Sequence, residues 1–525
     1  MILSPEPIPP GKKQLTRKWA FQKQRSLLLA GSRFLPGLYF LATLLFLSGM
    51  VSCTSSPKGE VRDAGLLPQV FPDLQGVTIP PDIAPLNFRV AGEWEEMILE
   101  VKGRGGSFSQ RFRGPKTRMD RKKWADLLLS SSGDSLYMQV SARQGNTWSR
   151  FRPLSLFIAR DPVDDYLVYR LVMPGYQTWN VMGIYQRELA TFREETLADS
   201  RLLPGTCMNC HSFPQNDPSR MILHLRENNG GTILLEEGQP RKINTRSEKT
   251  FAAAAFPYWH PSRRYAAFSV NRITQIFHAS GPVRAHALDM RSDILLYDME
   301  KNELFTSPLL QSGEAFETFP CFSPDGKTLL FATAPAGNLP DDQTRMKYSL
   351  CAVSFDPVTG KTGEHADTLV SAPLTGKSVT IPRYSPDGKF IMVCRCDYGS
   401  FPAYNPESDL WMVQPATGAF YPLDALNSPD VESYHSWSSN GRWVVFSSRR
   451  MDGLFSNAYI GYIDENGQPR KPFLLPQEDP DFHQTFLFSY NIPEFVTGKV
   501  KLDPFDLERV ARRPAGDPVT FDTSH

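Results

Sequence analysis

Residues 382–393 read Pro-Arg-Tyr-Ser-Pro-Asp-Gly-Lys-Phe-Ile-Met-Val: an aromatic residue, then a turn, then an apolar strand. The second proline presets the φ angle that such a turn needs, and the glycine accepts a positive φ. The same order of aromatic residue, turn and apolar strand recurs around Trp259, Phe322 and Trp437. Self-similarity at a period of about 50 to 60 residues is typical of a solenoid or a β-propeller.

Each repeat continues with a second apolar strand, such as 408–413, and with a turn and a shorter third strand. These strands predict four-stranded blades, and the pattern resembles the TolB family of WD-like propeller repeats over residues 222–498. The resemblance implies a fold and no particular activity. Strands at 231–236 and 486–490 are expected to be two halves of a closing blade. We therefore predict a propeller of five blades, with six as the alternative.

The bulk composition agrees with a mainly β protein of more than one domain. A chain of 525 residues suggests about two or three domains. The 36 glycines and 44 prolines favour many short strands joined by tight turns. A net charge of +1 gives no reason to expect nucleic-acid binding.

The regions that flank the predicted propeller carry weaker signals. Short alternating runs bounded by Gly and Ser predict an immunoglobulin-like or similar β-sandwich within residues 54–200. Residues 185–197 predict a short amphipathic helix. Residues 499–525 are predicted to be a C-terminal tail.

The first 53 residues predict an export signal. A run of basic residues precedes the apolar segment 34–51, which ends at Ser52-Cys53. This end resembles the bacterial lipobox, which implies a signal peptide over residues 1–53 and lipidation of Cys53. An uncleaved membrane anchor and simple cleavage are the alternatives, and all three place the chain outside the cytoplasm. The absence of Asp after Cys53 favours the outer membrane.

The segment Cys207-Met208-Asn209-Cys210-His211 fits covalent attachment of one c-type haem. Two thiols add to the porphyrin vinyl groups, and the adjacent His211 becomes the proximal ligand of the iron. We predict a haem-binding segment over residues 201–221. A disulfide or thiol redox pair and a zinc site are the alternatives, although a structural zinc site requires further ligands at suitable spacing.

The distal iron ligand is less well specified. Met221 and His224 follow the motif, and strand alternation puts them on opposite faces, so only one of them could serve. Four histidines further along the chain are also candidates: His278, His286, His435 and His483. An open sixth position is a further possibility, and it would favour ligand sensing or catalysis.

Together these features predict an exported lipoprotein that carries one haem beside a TolB-like propeller. Its expected role is electron transfer or redox sensing with a docked periplasmic partner, and its lipid anchor would hold it to the membrane. One alternative is a periplasmic binding scaffold in which the haem is structural or absent, because the resemblance to TolB implies protein partners. The other is an oxidoreductase, which is less favoured because no hydrolase or metal-ligand signature accompanies the motif.

Overall fold

The computed structural model describes residues 56–173, 181–246, 250–278 and 285–522. The predicted signal peptide and Cys53 lie outside the described residues. None of the helices within the described ranges is long and apolar enough to cross a membrane.

The N-terminal part is a seven-stranded mixed sheet with a two-stranded sheet and one helix. The helix α1 (Arg121–Ser130) buries Trp124 and Leu128 on one face. Asp120 caps its N-terminus, because the Asp120 carboxylate accepts a hydrogen bond from the Lys123 amide. The strands of this part are β1 (Glu60–Asp63), β2 (Val70–Phe71), β3 (Thr78–Ile79), β4 (Arg89–Val90), β5 (Glu96–Gly103), β6 (Gly106–Arg113), β7 (Ser135–Gln144), β8 (Thr147–Arg150) and β9 (Leu154–Ile158).

Three further strands follow, and they belong to a different sheet. They are β10 (Tyr166–Val172), β11 (Met182–Glu188) and β12 (Glu194–Asp199), which pair antiparallel in this order. The helix predicted over residues 185–197 is therefore wrong, because this stretch forms β11 and β12. These two strands pair with each other and with β10, so tertiary pairing overrides the helical period of the local sequence.

Five four-stranded antiparallel blades come next along the chain, and two of them gain an extra edge strand from the C-terminus. Blade 1 contains β13 (Thr206–Ser212), β14 (Arg220–Glu227), β15 (Gly231–Glu236) and β16 (Gln239–Asn244). Blade 2 contains β17 (Ala254–Trp259), β18 (Tyr265–Phe277), β19 (Ala285–Asp298) and β20 (Glu303–Phe305). Blade 3 contains β21 (Ala315–Phe322), β22 (Thr328–Pro335), β23 (Ser349–Phe355) and β24 (Thr362–Val370). Blade 4 contains β25 (Ser378–Tyr384), β26 (Ile391–Cys396), β27 (Asp409–Gln414) and β28 (Ala419–Pro422). Blade 5 contains β29 (Glu432–Trp437), β30 (Trp443–Ser448), β31 (Asn457–Tyr462) and β32 (Phe473–Leu474).

Blade 6 closes the ring with strands from both ends of the propeller. Its inner strand is β33 (Ser489–Val496), which pairs antiparallel with β10, so the sheet order is β33-β10-β11-β12. The first strands of successive blades contact one another around the ring, and β33 meets both β29 and β13. The predicted mainly β fold with a propeller is confirmed, and the number of blades is six.

The domain boundaries differ from the prediction. The propeller begins at Tyr166 instead of residue 222, and residues 201–221 form the first strand of blade 1 and its turn instead of a separate segment. The strand at 231–236 lies within blade 1, so only the C-terminal half of the predicted closing blade was placed correctly. The aromatic residue of a repeat stands at the end of the inner strand or directly after it, and a turn comes next. In blade 6 no turn joins the inner strand β33 to β10, because β10 comes earlier in the chain.

The N-terminal sheet and the propeller share one apolar core. Leu136 and Met138 of β7 belong to the same buried cluster as Trp443 of blade 5 and Tyr490 of blade 6. The Trp443 indole donates to the Asp161 carbonyl at 3.1 Å, and the Ser439 amide donates to the Asp164 carboxylate at 2.8 Å. The sheet is therefore a support for blades 5 and 6.

The predicted C-terminal tail also belongs to this structure. Leu507 and Val510 of a helix, α4 (Pro504–Ala511), join the core between blades 1 and 6. Two short strands, β34 (Asp517–Pro518) and β35 (Thr520–Phe521), extend blades 1 and 2 by parallel pairing. The remaining helices are single turns, α2 (Ala372–Thr375) and α3 (Phe482–Thr485).

Candidate functional site at the central channel

The inner strands of the six blades carry the same backbone irregularity. Each contains a β-bulge, where the pairing with the next strand shifts register. At the bulge stands a non-glycine residue with φ between 33° and 53°, an uncommon conformation for such residues. The six residues in this position are Cys210, Phe256, Phe319, Ile381, Tyr434 and Ile492.

The haem-attachment motif is therefore the inner strand of a propeller repeat. Residues 209–214, Asn-Cys-His-Ser-Phe-Pro, stand where blade 3 has 318–323, Thr-Phe-Pro-Cys-Phe-Ser, and blade 4 has 380–385, Thr-Ile-Pro-Arg-Tyr-Ser. Cys210 takes the place of the bulge residue, and His211 takes the place of a proline. Phe213, which stands where the other repeats have Phe322 and Tyr384, was the sequence signal that could have identified this additional repeat.

Both cysteines of the motif are buried free thiols. Cys207 is 6% exposed and packs in the core between blades 1 and 6, and Cys210 is 2% exposed. Burial raises the pKa of both thiols, that of Cys210 to about 11, while the positive charges of Arg170 and Arg226 oppose the shift. In this compact state both side chains are neutral thiols, which are poor nucleophiles.

His211 is buried without a hydrogen-bond partner. Its side chain is 3% exposed, and neither Nδ1 nor Nε2 meets an acceptor or donor in hydrogen-bond geometry. Burial, and then the charge of Arg170, lower its pKa to about 3, while the Val168 backbone acts in the opposite direction. His211 is thus a neutral imidazole with both nitrogens free, which is rare in a protein interior.

A cavity of about 300 Å³ occupies the open end of the channel beside His211. All six inner strands contribute to its wall. In every inner strand, a proline or histidine follows the positive-φ residue, and one further residue separates it from the aromatic residue. This further residue lines the cavity in five of the blades: Ser212, Tyr258, Arg383, Ser436 and Glu494. Sequence analysis missed these residues, although comparing the repeats position by position would have shown that this position varies most.

The other end of the channel is filled. Phe256, Phe319 and Phe401 pack against one another with ring centroids 4.9 to 5.8 Å apart. Strand β19 of the long β18–β19 hairpin contacts the short 3₁₀ helix Pro402–Tyr404. The His286 ring nitrogen in this hairpin lies 3.1 Å from the Tyr398 hydroxyl. Among the described residues, these side chains close that end of the channel.

The predicted distal ligands are spread over blades 1, 2 and 5 and helix α3. Met221 packs in the core between blades 1 and 6, whereas His224 is buried on the opposite face of β14 and its Nδ1 has no partner. His435 and His483 each use both ring nitrogens in hydrogen bonds, and the His278 and His286 rings contact each other at 2.8 Å. Among the described residues, no three His, Cys, Asp or Glu side chains are grouped closely enough to hold a metal ion.

Comparison with protein-family models and with curated protein sequences finds no match to this chain. Solved structures are similar in fold. TolB from Acinetobacter baumannii is 14% identical over 69% of this chain and 79% of its own, with a TM-score of 0.39. The Pseudomonas aeruginosa periplasmic gluconolactonase PpgL is 12% identical over 62% of this chain and 99% of its own, with a TM-score of 0.34. Similarity at this level transfers no activity.

Proposed function

We propose that this protein is an exported, lipid-anchored, monohaem c-type protein that acts in electron transfer or redox sensing with a docked partner. The observation that carries the proposal is the buried His211, which lines the cavity with two unpartnered ring nitrogens. The free thiols of Cys207 and Cys210 lie on the same strand, β13. A buried polar group without a partner is costly and needs an explanation. Coordination of iron by His211 would supply one.

The residues present suit this group chemically. Cys207 and Cys210 would form the two thioether bonds, and His211 would be the proximal ligand. Its lowered pKa keeps the imidazole neutral at physiological pH, as metal coordination requires. Arg170 and Arg226 act electrostatically on both thiols and would favour negatively charged propionates beside them. When bound, the haem would supply a one-electron Fe(III)/Fe(II) couple.

Attachment is proposed to precede closure of the propeller. In the closed propeller Cys207 is packed in the core, and burial raises the pKa of both thiols. The ring is completed by β33, which is more than 270 residues further along the chain than the motif. Before that strand arrives, the thiols of β13 are accessible on an open blade edge. Strand β13 would then adjust around the attached group.

Lipidation of Cys53 and an outer-membrane location facing the periplasm are part of the same proposal. Attachment of haem to a Cys-x-x-Cys-His motif takes place outside the bacterial cytoplasm, so an exported chain is required. The anchor would keep the redox centre near a membrane-associated or periplasmic partner.

A pyridine haemochrome spectrum of the mature protein tests the proposal. The protein is expressed with haem-attachment machinery and compared with Cys207→Ser/Cys210→Ser. Cys394→Ser/Cys396→Ser is the matched control, because it removes another buried pair from the same protein. We expect a c-type band that resists acid–acetone extraction in the wild type and the control, and no band in the first variant. Well-folded wild-type protein without the band would disprove the proposal.

A binding scaffold is the second candidate, and the open cavity is the observation that favours it. The channel offers a preformed, aromatic-walled space that needs no haem. In this function the haem would be structural or absent. Capture of the same ligand or partner by wild-type protein and by Cys207→Ser/Cys210→Ser would support it over electron transfer.

A further inference from the structure

Arg383 is the cationic side chain in the wall of the central cavity. Its Nη1 donates to the Pro382 carbonyl at 2.8 Å, and its guanidinium lies over the Tyr258 ring at 5.0 Å. Within the described ranges no carboxylate oxygen comes within 4 Å of it. A half-buried guanidinium with most of its donors unused is well suited to an anion.

The acidic side chain in the same wall does not neutralise this charge. Glu494 accepts a hydrogen bond from the Phe213 amide at 3.0 Å instead of pairing with Arg383. Burial raises the pKa of Glu494 to about 8, so this carboxyl is mostly protonated at neutral pH. Burial raises the pKa of the Cys321 thiol and lowers that of the His435 imidazole, and the positive charge of Arg383 acts on both groups in the lowering direction. The cavity is therefore electropositive.

The remaining wall is aromatic and held in place. The Trp259 indole donates to the Ser212 carbonyl at 3.1 Å, and the Trp437 indole donates to the Arg383 carbonyl at 3.1 Å. Each of these bonds joins neighbouring blades, so the rings are fixed before any ligand enters. A cavity of about 300 Å³ is at the lower end of the range for small-molecule pockets.

We propose that the central cavity binds a carboxylate, with Arg383 as its anchor and the fixed aromatic rings around the body of the ligand. Two sources supply such a group. One is a diffusible small aromatic or apolar carboxylic acid, which requires no haem. The other is a haem propionate, and this source rests on the proposed function.

The test begins with haem-free protein, obtained by expression without attachment machinery. Benzoate is titrated by calorimetry and by the fluorescence of the wall tryptophans, with benzamide as the uncharged analogue. We expect benzoate to bind, benzamide to bind at least tenfold more weakly, and Arg383→Gln to lose at least tenfold in affinity. Lys389→Gln, which removes an exposed charge from the same blade, should bind as wild type does.

The second arm uses haem-loaded protein. If benzoate still binds, the ligand is diffusible; if benzoate no longer binds and Arg383→Gln shifts the reduction potential relative to Lys389→Gln, the carboxylate is a propionate. The inference is overturned if Arg383→Gln binds benzoate as wild type does. It is also overturned if no form binds benzoate and the potential is unchanged. If the protein binds no haem, the proposed function fails and only the second arm is lost. The first arm still tests the inference, so the two failures are distinguishable from each other.

Discussion

His211 and His435 occupy the same position in the inner strands of blades 1 and 5, directly after the positive-φ residue. The His435 ring makes contacts at 2.9 Å with the Met392 carbonyl and at 3.6 Å with the Cys394 thiol, whereas neither His211 nitrogen has a partner. Burial lowers the pKa of both imidazoles to about 3. The same strand position therefore holds a hydrogen-bonded histidine in blade 5 and a histidine without a hydrogen-bond partner in blade 1.

This pair predicts that the same substitution changes the free energy of unfolding by different amounts at the two positions. In haem-free protein His435→Gln should lower the free energy of unfolding by about 1–3 kcal/mol, because it disturbs two buried hydrogen bonds. His211→Gln should change it by less than about 1 kcal/mol, since no bond is lost. Urea unfolding measures both. Equal destabilisation by the two variants would show that His211 has a structural role that its geometry does not reveal.

In haem-loaded protein we expect His211→Gln, and not His435→Gln, to have the larger effect, which is measured on the absorption spectrum. His211→Gln should alter the Soret and α bands because the iron loses its proximal ligand, and His435→Gln should leave the spectrum unchanged. Absorption spectra of the oxidised and reduced proteins at matched haem content make the comparison. A spectrum that responds to His435→Gln and not to His211→Gln would contradict the assignment of the ligand.

The thiols of the motif should be unreactive in folded, haem-free protein. Burial raises the pKa of Cys207 and Cys210, so few thiolates exist at pH 7.5 and reagents cannot reach them. Iodoacetamide labelling read by mass spectrometry should modify none of the six described cysteines before denaturation and all of them afterwards. In haem-loaded, denatured protein Cys207 and Cys210 should remain unlabelled. Rapid labelling of the folded pair would instead indicate a thiol redox site.

Two buried acids predict lower stability at alkaline pH. Burial raises the pKa of Asp289 and of Glu317 to about 8, well above their values in the unfolded chain. At pH values between the unfolded and the folded pKa, the folded state holds these protons and the unfolded chain does not. The free energy of unfolding therefore falls as pH rises, by up to about 1.4 kcal/mol per group and pH unit. The window from pH 7.5 to 8.5 is best suited, because the buried histidines titrate near pH 6.5 in the unfolded chain and oppose the trend at lower pH. Denaturation of wild type and Asp289→Asn/Glu317→Gln across this window should show a flatter dependence in the variant; equal slopes would refute the expectation.

The closing strand should be indispensable. Truncation before Ser489 removes the inner strand of blade 6 and leaves the edge of β10 unpaired, so cooperative unfolding should be lost. Truncation after Arg513 removes only the two short edge strands and should lower the melting temperature by a few degrees. Calorimetry of both truncated chains distinguishes the two effects. A sharp, wild-type transition in the first chain would show that five blades are stable alone.

Local signals in the sequence accounted for the blades that are continuous along the chain. The aromatic residue and turn around Phe322 and Tyr384 predicted the inner strand and hairpin of blades 3 and 4, because both depend on neighbouring residues. The same reasoning failed at residues 166–199, whose partner strand lies about 300 residues away. The segment Cys207–His211 was also interpreted as separate, because the cysteines and the histidine obscured the repeat to which Phe213 belongs.

The sequence by itself determined the repeat, the strands, the turns and the Cys-x-x-Cys-His spacing, since each depends on residues that are close along the chain. Only the tertiary structure decided that six blades close the ring and that Cys210 stands in the place of Phe319 and Ile381. It also decided that Arg383 and Glu494 share one cavity wall with His211. Ring closure brings these side chains together from different blades, and their charges and burial act through space.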